Sequence, residues 1–469
     1  MSDPATPTSS SSTGAGSTGA IPVSRGRRDL IRDPIATTLA RMTGPVIGGI
    51  VTMMLFNLVD AWFIAQLGTA QLAAVTFTFP VTFAVISIAI GLSIGTTAVV
   101  GRRLGRGEIE TVRARATDAG LLGLLLGVGL AAGGLASIAP LFRLLGADDA
   151  LMPHIQDYMQ VWYFGAPFVL LPRVLGSVLR AEGNTLVPSL VMAAAGLLNA
   201  ALDPLLIFGV GGWQGMGVAG AALATVVSWL AMTLGLLALP MLRARLDIRQ
   251  ISLTRMMASC REVGAIGLPA AMTSVMTPIA TALVTRIVSQ HGHAAVAAFG
   301  IGSRIESLAL ILVLALSMTL SPFISQNDGA GQQARVWRAI HGVLGFILVW
   351  QLAVWLGLGL SGGWIAARFA ETEEVARLVS TYLWLIPAAL GAQGVIILTN
   401  SSLNALHKPR RAMTLSLIRL FALLVPLAWL GGEIFGVVGI FVGVAASYLL
   451  MAGISYLALR TVLKRRRRA

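Results

Sequence analysis

A weak internal repeat constrains the fold of this chain more than any other feature of its sequence. Residues 45–112 match a second stretch 224 positions later, so that Pro45 corresponds to Pro269 and Gly68 to Gly292. Further pairs in this register are Ser93 and Ser317, Gly105 and Gly329, Val112 and Val336, and Leu179 and Leu403. Turn and kink residues that keep their order over such a length indicate two copies of one structural unit.

The composition indicates that both copies lie in a membrane. The chain is 56% hydrophobic and only 12% charged, whereas a soluble domain carries roughly 25% charged residues. Twelve apolar runs have the length of a bilayer crossing, about 20 residues each. They lie near 42–66, 72–100, 117–142, 155–179, 187–210, 216–241, 263–290, 294–324, 338–368, 377–403, 412–431 and 434–460. The sequence therefore predicts an all-α polytopic membrane protein with six transmembrane helices per half, related by a pseudo-twofold axis along the membrane normal. Two such bundles are typical of a transporter whose pathway lies between them.

Basic residues concentrate on one predicted side of the membrane, the side of both termini. They are Arg102, Arg103, Arg106, Arg113, Arg115, Arg243, Arg245, Arg249, Arg255, Arg261, Lys408, Arg410, Arg411 and the run 464–468. Since Lys and Arg favour the cytoplasmic side, we expect an inner-membrane protein with both termini in the cytoplasm. Contact with anionic membrane lipids accounts for the net charge of +14, so we expect no nucleic-acid partner.

These features divide the chain into five predicted segments. They are a disordered cytoplasmic tail over 1–34, an N-terminal lobe over 35–242 (helices 1–6), a basic linker over 243–262, a C-terminal lobe over 263–461 (helices 7–12) and a basic tail over 462–469. The first 29 or so residues are rich in Ser, Thr and Gly without the apolar core of a signal peptide. The single cysteine, Cys260, falls in the linker, so no disulfide framework is expected.

Two motifs resemble enzyme signatures without their structural context. The run 91–95 matches the GxSxG nucleophile pattern, which requires a strand-to-helix turn, but here it lies inside the second apolar run. Small residues for close helix packing are the better interpretation. A GxGxxG run over 215–220 opens a membrane helix without a preceding strand, so it does not indicate a dinucleotide site.

The sequence predicts neither an enzyme nor an ATP-driven pump. Its two lysines, Lys408 and Lys464, complete no phosphate-binding loop, and its five histidines form no HExxH motif or metal-ligand pair. We therefore expect no cofactor, and transport must draw its energy from an ion gradient or an outside partner.

A cluster of polar residues within the N-terminal spans is the main candidate site. Asp60 lies in the first span, Asn199, Asp203 and Pro204 in the fifth, and Thr225 in the sixth. All three spans place these residues roughly 10 Å below the outer surface, at 1.5 Å per residue. Asn199 shares a helix face with Asp203, and Pro204 frees a helix carbonyl nearby. Ionisable groups inside a membrane are functional candidates, and these oxygens suit a proton or a hard cation.

The repeat shows that the fold does not require charge at these positions. At the offset of 224, Asp60 corresponds to Val284 and Asp203 to Leu427. In the last span of each half the offset is 219, so Thr225 corresponds to Val444. The polar cluster therefore belongs to the N-terminal half alone.

The C-terminal half carries its own buried charges, Arg286, Arg304 and Glu306. Arg304 and Glu306 are two residues apart, so they cannot share a helix face. Glu306 either lines the substrate cavity and meets a cationic substrate or is neutralised by Arg286 or Arg304; both alternatives stay open. Arg173 and Arg180 approach the cytoplasmic end of the fourth span, where long side chains snorkel to the surface.

Several stretches resemble the MATE (multidrug and toxic compound extrusion) family. They are Pro45 with VDAWFIAQLG over 59–68, LRAEGNT over 179–185, NAALDPLLIFG over 199–209 and NALHKP over 404–409. The resemblance covers about residues 35–460 and implies twelve helices in two lobes around a V-shaped cavity, with export coupled to Na⁺ or H⁺. Within the family the chain is similar to the DinF-like branch, which implies a coupling site at Asp60, Asn199, Asp203 and Thr225. The acids of another branch, in spans seven and ten, are missing, since Ala388 follows Pro387.

We therefore predict a secondary active antiporter that exports amphipathic, cationic organic compounds in multidrug efflux by alternating access. The coupling ion is H⁺ or Na⁺, with Na⁺ held by Asp60 and Asp203 as one alternative, and Pro45 and Pro204 as the helix-bending residues. A flippase or exporter of a lipid-linked or anionic substrate is the alternative; its cavity would need several cations. The pathway is complete in one chain, so a monomer is expected to function.

Overall fold

A computed structural model of the chain describes residues 29–247 and 252–468, and all regular structure in these ranges is helical. Nine helices are long and apolar enough to cross a membrane, and two further spans are bent pairs of helices. The longest continuous stretch, Pro409–Arg466, contains the non-helical residues Phe435 and Gly436, which divide it into two spans. The described residues therefore form twelve spans, as the sequence predicts.

The first six spans form the N-terminal lobe. Spans 1 to 3 are Ile35–Ala65, Thr69–Gly105 and Ile109–Leu144; span 4 is Met152–Phe164 with Ala166–Ala181; spans 5 and 6 are Leu186–Phe208 and Val218–Ala238. A short helix, Pro240–Arg243, follows. Span 4 bends by 43° at Gly165, two residues before Pro167, which lies in the first turn of the new helix, where proline is favoured.

The C-terminal lobe repeats this order with more breaks. Span 7 is Leu253–Ser289, span 8 is His293–Ala309 with Ile311–Gly329, span 9 is Gln333–Phe369, and span 10 is Glu373–Leu385 with Leu390–Ala405, joined by the 3₁₀ turn Pro387–Ala389. Span 11 contains Pro409–Leu417, the π-helical segment Ile418–Leu424 and residues 425–434; span 12 follows Gly436. Span 8 bends by 41°.

A seam of glycines joins the two lobes in the half of the bundle nearest the basic face, the end that carries residues 29 and 468. A Cβ atom on Gly91 would lie 2.3 Å from the Gly267 carbonyl oxygen, and one on Gly95 would lie 2.5 Å from that of Val263. The helix backbones of spans 2 and 7 therefore touch directly, which larger residues would prevent. The interpretation of residues 91–95 as a packing motif is thus confirmed.

The contacts of the seam also follow the internal repeat. A Cβ atom on Gly105 would lie 2.0 Å from the Gln326 carbonyl oxygen, and one on Gly329 would lie 2.2 Å from that of Arg102. Gly329 and Gln326 stand 224 positions after Gly105 and Arg102, so the contact is reciprocal, as between the subunits of a twofold dimer. The contacts between the lobes named here and below all lie at this end, which we call the closed end.

Polar contacts reinforce the closed end. Asp118 of span 3 is buried and accepts hydrogen bonds from Arg255 of span 7 at 3.1 and 3.3 Å. Arg103 of span 2 lies 3.1 Å from Glu262. On the other side of the pseudo-twofold axis, Asp328 contacts Arg466 and lies 3.8 Å from Arg102.

The structure differs from three of the predicted segment boundaries. Most of the tail predicted over 1–34 lies outside the described residues, and residues 29–34 contact the rest of the chain. Leu30 is buried there, and its carbonyl accepts a hydrogen bond from Asn327 at 3.0 Å. Helix also covers 253–262 of the predicted linker and 462–468 of the predicted tail, because membrane helices extend past the apolar layer into polar residues.

Candidate functional site

Three of the predicted site residues form one hydrogen-bonded group between spans 5 and 6. The Asn199 side-chain amide donates to Asp203 Oδ1 and to Thr225 Oγ1, each at 3.4 Å. Thr225 in turn donates to the carbonyl of Ala221 at 3.1 Å. The amide therefore holds the carboxylate of one span against the hydroxyl of the next.

Small residues let the three spans of the site approach closely. A Cβ atom on Gly196 would lie 2.0 Å from the ring of Phe56, so span 5 meets span 1 four residues before Asp60. A Cβ atom on Gly220 would lie 2.2 Å from the Leu206 carbonyl, which brings span 6 against span 5. Both glycines lie within a turn or two of the polar residues.

Both carboxylates keep an oxygen without a partner. Asp203 is fully buried, and its Oδ2 atom accepts no hydrogen bond from the described residues. The same holds for Oδ1 of the half-buried Asp60, which is close enough to Asp203 for the two charges to interact. Since buried polar atoms in proteins are nearly always paired, two such oxygens in one place suit a proton or a cation that neither helix supplies.

Tyr158 is a member of this site that sequence analysis did not identify. It lies on span 4, is nearly buried, and sits close enough to Asp60 and Asp203 to interact with both charges. An aromatic residue on an apolar helix resembles core packing, so periodicity alone does not single it out. The repeat carries a signal, because the corresponding residue 220 positions later is Leu378.

The two predicted bending residues lie within continuous helices. Pro45 is inside the 31-residue span 1, and Pro204 directly follows Asp203 inside the 23-residue span 5. Because proline lacks an N–H group, Pro204 leaves the Ala200 carbonyl without its helical partner. That carbonyl lies one turn from the Asp203 carboxylate.

Glu306 is hydrogen-bonded by residues other than the two predicted arginines. Its Oε2 accepts a hydrogen bond from the Tyr382 hydroxyl at 2.9 Å and its Oε1 one from the Tyr448 hydroxyl at 3.3 Å. Gln393 also bonds the carboxylate, and Arg419 lies near it. Glu306 thus belongs to a polar cluster inside the C-terminal lobe. The alternative that Arg286 or Arg304 neutralises it is wrong, since Arg419 is the arginine near its carboxylate.

Arg304 and Arg286 lie apart from that cluster. Arg304 is exposed and lines a shallow cavity of about 300 Å³ with Glu371 and Phe369. Arg286 is exposed in the last turn of span 7. As predicted, Arg304 and Glu306 face different neighbours.

Arg180 does not snorkel to the basic face. Its guanidinium donates to the Ser93 hydroxyl at 3.0 Å and to the Arg173 carbonyl at 3.4 Å. It therefore points back along span 4 into the N-terminal lobe, and the sequence-based prediction for this residue was wrong.

Comparison with known proteins gives a consistent result. A family model described as MatE matches residues 45–205 and 269–430, one match in each half of the repeat. A protein of Shewanella oneidensis named FAD transporter is 41% identical over 437 residues, which cover 92% of this chain and 96% of that protein. A probable multidrug resistance protein of Bacillus subtilis, YoeA, is 26% identical over 67% of each chain.

Comparison of the structure with solved structures also finds a MATE transporter. The crystal structure of the Vibrio cholerae MATE transporter VcmN in the bent form superposes with a TM-score of 0.87. The two sequences are 31% identical, and the match covers 92% of this chain and 98% of VcmN.

Proposed function

The chain belongs to the MATE family of transporters, and on that premise we propose that it is a secondary active antiporter that exports an organic solute in exchange for H⁺ or Na⁺. The observation that carries this proposal is the pair of carboxylates, Asp60 and Asp203, each with a buried oxygen that has no protein partner. A site of this kind must change its charge state or bind a cation to be stable in a membrane. In a transporter, such a change is the means of coupling to an ion gradient.

The proposed cycle starts from the closed end described above. We take the basic face as the cytoplasmic one, so that a cavity between the lobes would open to the outside in this state. Entry of the ion at Asp60 and Asp203 bends span 1 near Pro45 and releases the substrate, and loss of the ion favours the inward-open state. The group of Asp60, Asn199, Asp203 and Thr225 follows the DinF-like pattern, and one chain contains the whole pathway.

For the substrate we propose FAD or a related flavin nucleotide. The 41%-identical relative named FAD transporter supports this choice over nearly the whole chain. It favours the anionic alternative over cationic drugs as our first choice, since FAD carries a pyrophosphate. Multidrug efflux of cationic compounds is the second candidate, supported by the 26%-identical YoeA.

Transport into liposomes tests the proposal. Purified protein is reconstituted, FAD or a cationic fluorescent dye is supplied on one side, and pH and Na⁺ gradients are imposed separately. We expect FAD movement under one gradient, absent in Asp60→Asn and Asp203→Asn. Equal movement in both variants would contradict the coupling site, and dye movement without FAD movement would support the second candidate.

A further inference from the structure

Span 4 places two arginines inside the N-terminal lobe without any acidic partner. No carboxylate of the described residues lies within 4 Å of Arg173 or Arg180. The nearest acid along the chain, Glu182, is engaged by Arg245 at 2.5 Å. Unpaired cations are expensive in a membrane protein and mark substrate or ion pathways when they persist.

The two arginines lie on one face of the helix, and their charges are close enough to interact. They are seven residues, or two turns, apart. Because position 176 is a glycine, the Arg180 side chain can fold back over it: a Cβ atom on Gly176 would lie 3.2 Å from the guanidinium. Arg180 thus meets both the carbonyl of Arg173 and the hydroxyl of Ser93 on span 2.

The three residues are not completely buried. Arg173, Arg180 and Ser93 are all half-buried, and the Arg173 guanidinium makes no hydrogen bond or ion pair with the described residues. A donor-rich site therefore exists with one guanidinium held in position and the other unoccupied.

The repeat indicates that these charges are not needed for folding. The counterpart of Arg180 is Asn404, 224 positions later, and that of Arg173 is Gln393 in the register of Pro167 and Pro387, 220 positions later. The same helices are thus built in the C-terminal lobe with neutral amides.

We propose that Arg173 and Arg180, with the hydroxyl of Ser93, form an anion subsite that binds the pyrophosphate of the transported nucleotide. Two guanidinium groups match the planar, bidentate geometry that phosphate oxygens require. The proposal deepens the substrate class given above and rests on it. It also gives Ser93, at the centre of the GxSxG-like run, a role in binding through its hydroxyl.

Binding to the purified full-length protein tests the subsite. The probes are FAD, riboflavin (the same ring without phosphate) and inorganic pyrophosphate as a competitor. We expect Arg173→Gln and Arg180→Gln each to weaken FAD binding by about tenfold or more while riboflavin binding stays within about twofold. Pyrophosphate should displace FAD from the wild type. Unchanged FAD affinity in both variants, or FAD binding that pyrophosphate does not reduce, would overturn the subsite.

Two control sets keep the test decisive. Arg113→Gln removes an exposed arginine of the same lobe and should leave FAD affinity unchanged. Arg173→Lys and Arg180→Lys retain the charge and should lose affinity less than the Gln variants, which separates charge from folding if a Gln variant is unstable.

A wrong substrate assignment and a wrong subsite assignment give different experimental results. If the wild type binds pyrophosphate in an Arg180-dependent way but does not bind FAD, the subsite stands and the proposed substrate is wrong. If the wild type binds neither, the subsite is wrong, whatever solute the liposome assay shows to be exported.

Discussion

The two lobes share one backbone plan but place their polar residues at different positions. In the N-terminal lobe Asp60, Tyr158 and Asp203 belong to the proposed coupling site, and the corresponding C-terminal residues are the apolar Val284, Leu378 and Leu427. In the C-terminal lobe Glu306, Tyr382 and Tyr448 are bonded together, and their counterparts are Thr82, Trp162 and Trp229.

The difference lies in how completely each acid is paired. Both oxygens of Glu306 accept hydrogen bonds from tyrosines, whereas Asp60 and Asp203 each keep a free buried oxygen. The Trp162 and Trp229 rings instead pack edge to face at 5.6 Å. A duplicated fold thus supports an acid with both oxygens hydrogen-bonded in one copy and acids with a free buried oxygen in the other, and we propose that the latter respond to an ion.

The largest effect should separate the two acids directly. Asp203→Asn is expected to reduce ion-coupled transport to background, because an amide cannot take up and release a proton or neutralise Na⁺. Glu306→Gln should keep coupling, since an amide can still bond both tyrosines. Gradient-driven uptake in liposomes measures both variants. Loss of coupling in Glu306→Gln alone would place the coupling site in the C-terminal lobe and contradict our proposal.

The next largest effect is on stability, and it compares the Arg255–Asp118 and Arg102–Asp328 contacts of the closed end. Arg255→Gln leaves the buried Asp118 without its cation and should destabilise the protein by about 3 kcal/mol. Arg102→Gln should cost less, about 1 kcal/mol, because Asp328 keeps Arg466. Chemical unfolding in detergent measures both values. A larger loss of stability in Arg102→Gln would show that the contacts around Asp328 stabilise the closed end more than those around Asp118.

The glycine seam predicts equal effects in the two repeats. Gly105→Val and Gly329→Val should each destabilise the closed form by about 2 kcal/mol, since each places a side chain against a carbonyl of the other lobe. Gly133→Val is the control, because nothing lies within 4 Å of its Cβ position. Accessibility of a cysteine placed near the seam reports opening. Effects that differ strongly between positions 105 and 329 would contradict the reciprocal contact.

The smallest effect concerns a turn that each lobe contains. Gly183 and His407 correspond in the repeat, with φ of +88° and +57°, a region that glycine adopts without strain. His407→Gly should therefore stabilise the protein by about 1 kcal/mol, and Gly183→Ala should destabilise it. Thermal unfolding of the two variants measures this difference.

The same histidine gives this turn a pH dependence that Gly183 lacks. Burial, and then the positive charge of Arg102, lowers the pKa of His407 to about 4, from about 6.5 in an unfolded chain. The unfolded state binds the proton more readily, so the wild type should lose stability as the pH falls from about 6.5 to 4. His407→Gly should lessen that loss; an identical pH profile would argue against a buried neutral ring.

The sequence predicted the lobes and most of the candidate site for a simple physical reason. Charges are rare in apolar helices, so Asp60 and Asp203 stand out without any knowledge of contacts. Tyr158, Tyr382 and Tyr448 do not, because a tyrosine on an apolar helix resembles packing. The partner of Glu306 was also misjudged, since neighbours in sequence such as Arg304 lie on other helix faces, whereas Arg419 approaches from span 11. Comparison of the repeats, where tyrosine replaces tryptophan at 382 and 448, carries the signal that was missed.

The glycine seam has a consequence for how such a chain can change over evolution. At the glycines of the closed end main chain meets main chain, and the ion pairs around them do not involve residues of the proposed sites. The residues that face the cavity can therefore be replaced one at a time without disturbing closure. A new solute could be acquired by altering a few interior side chains, such as an arginine pair in one lobe, while the same backbone continues to open and shut around it.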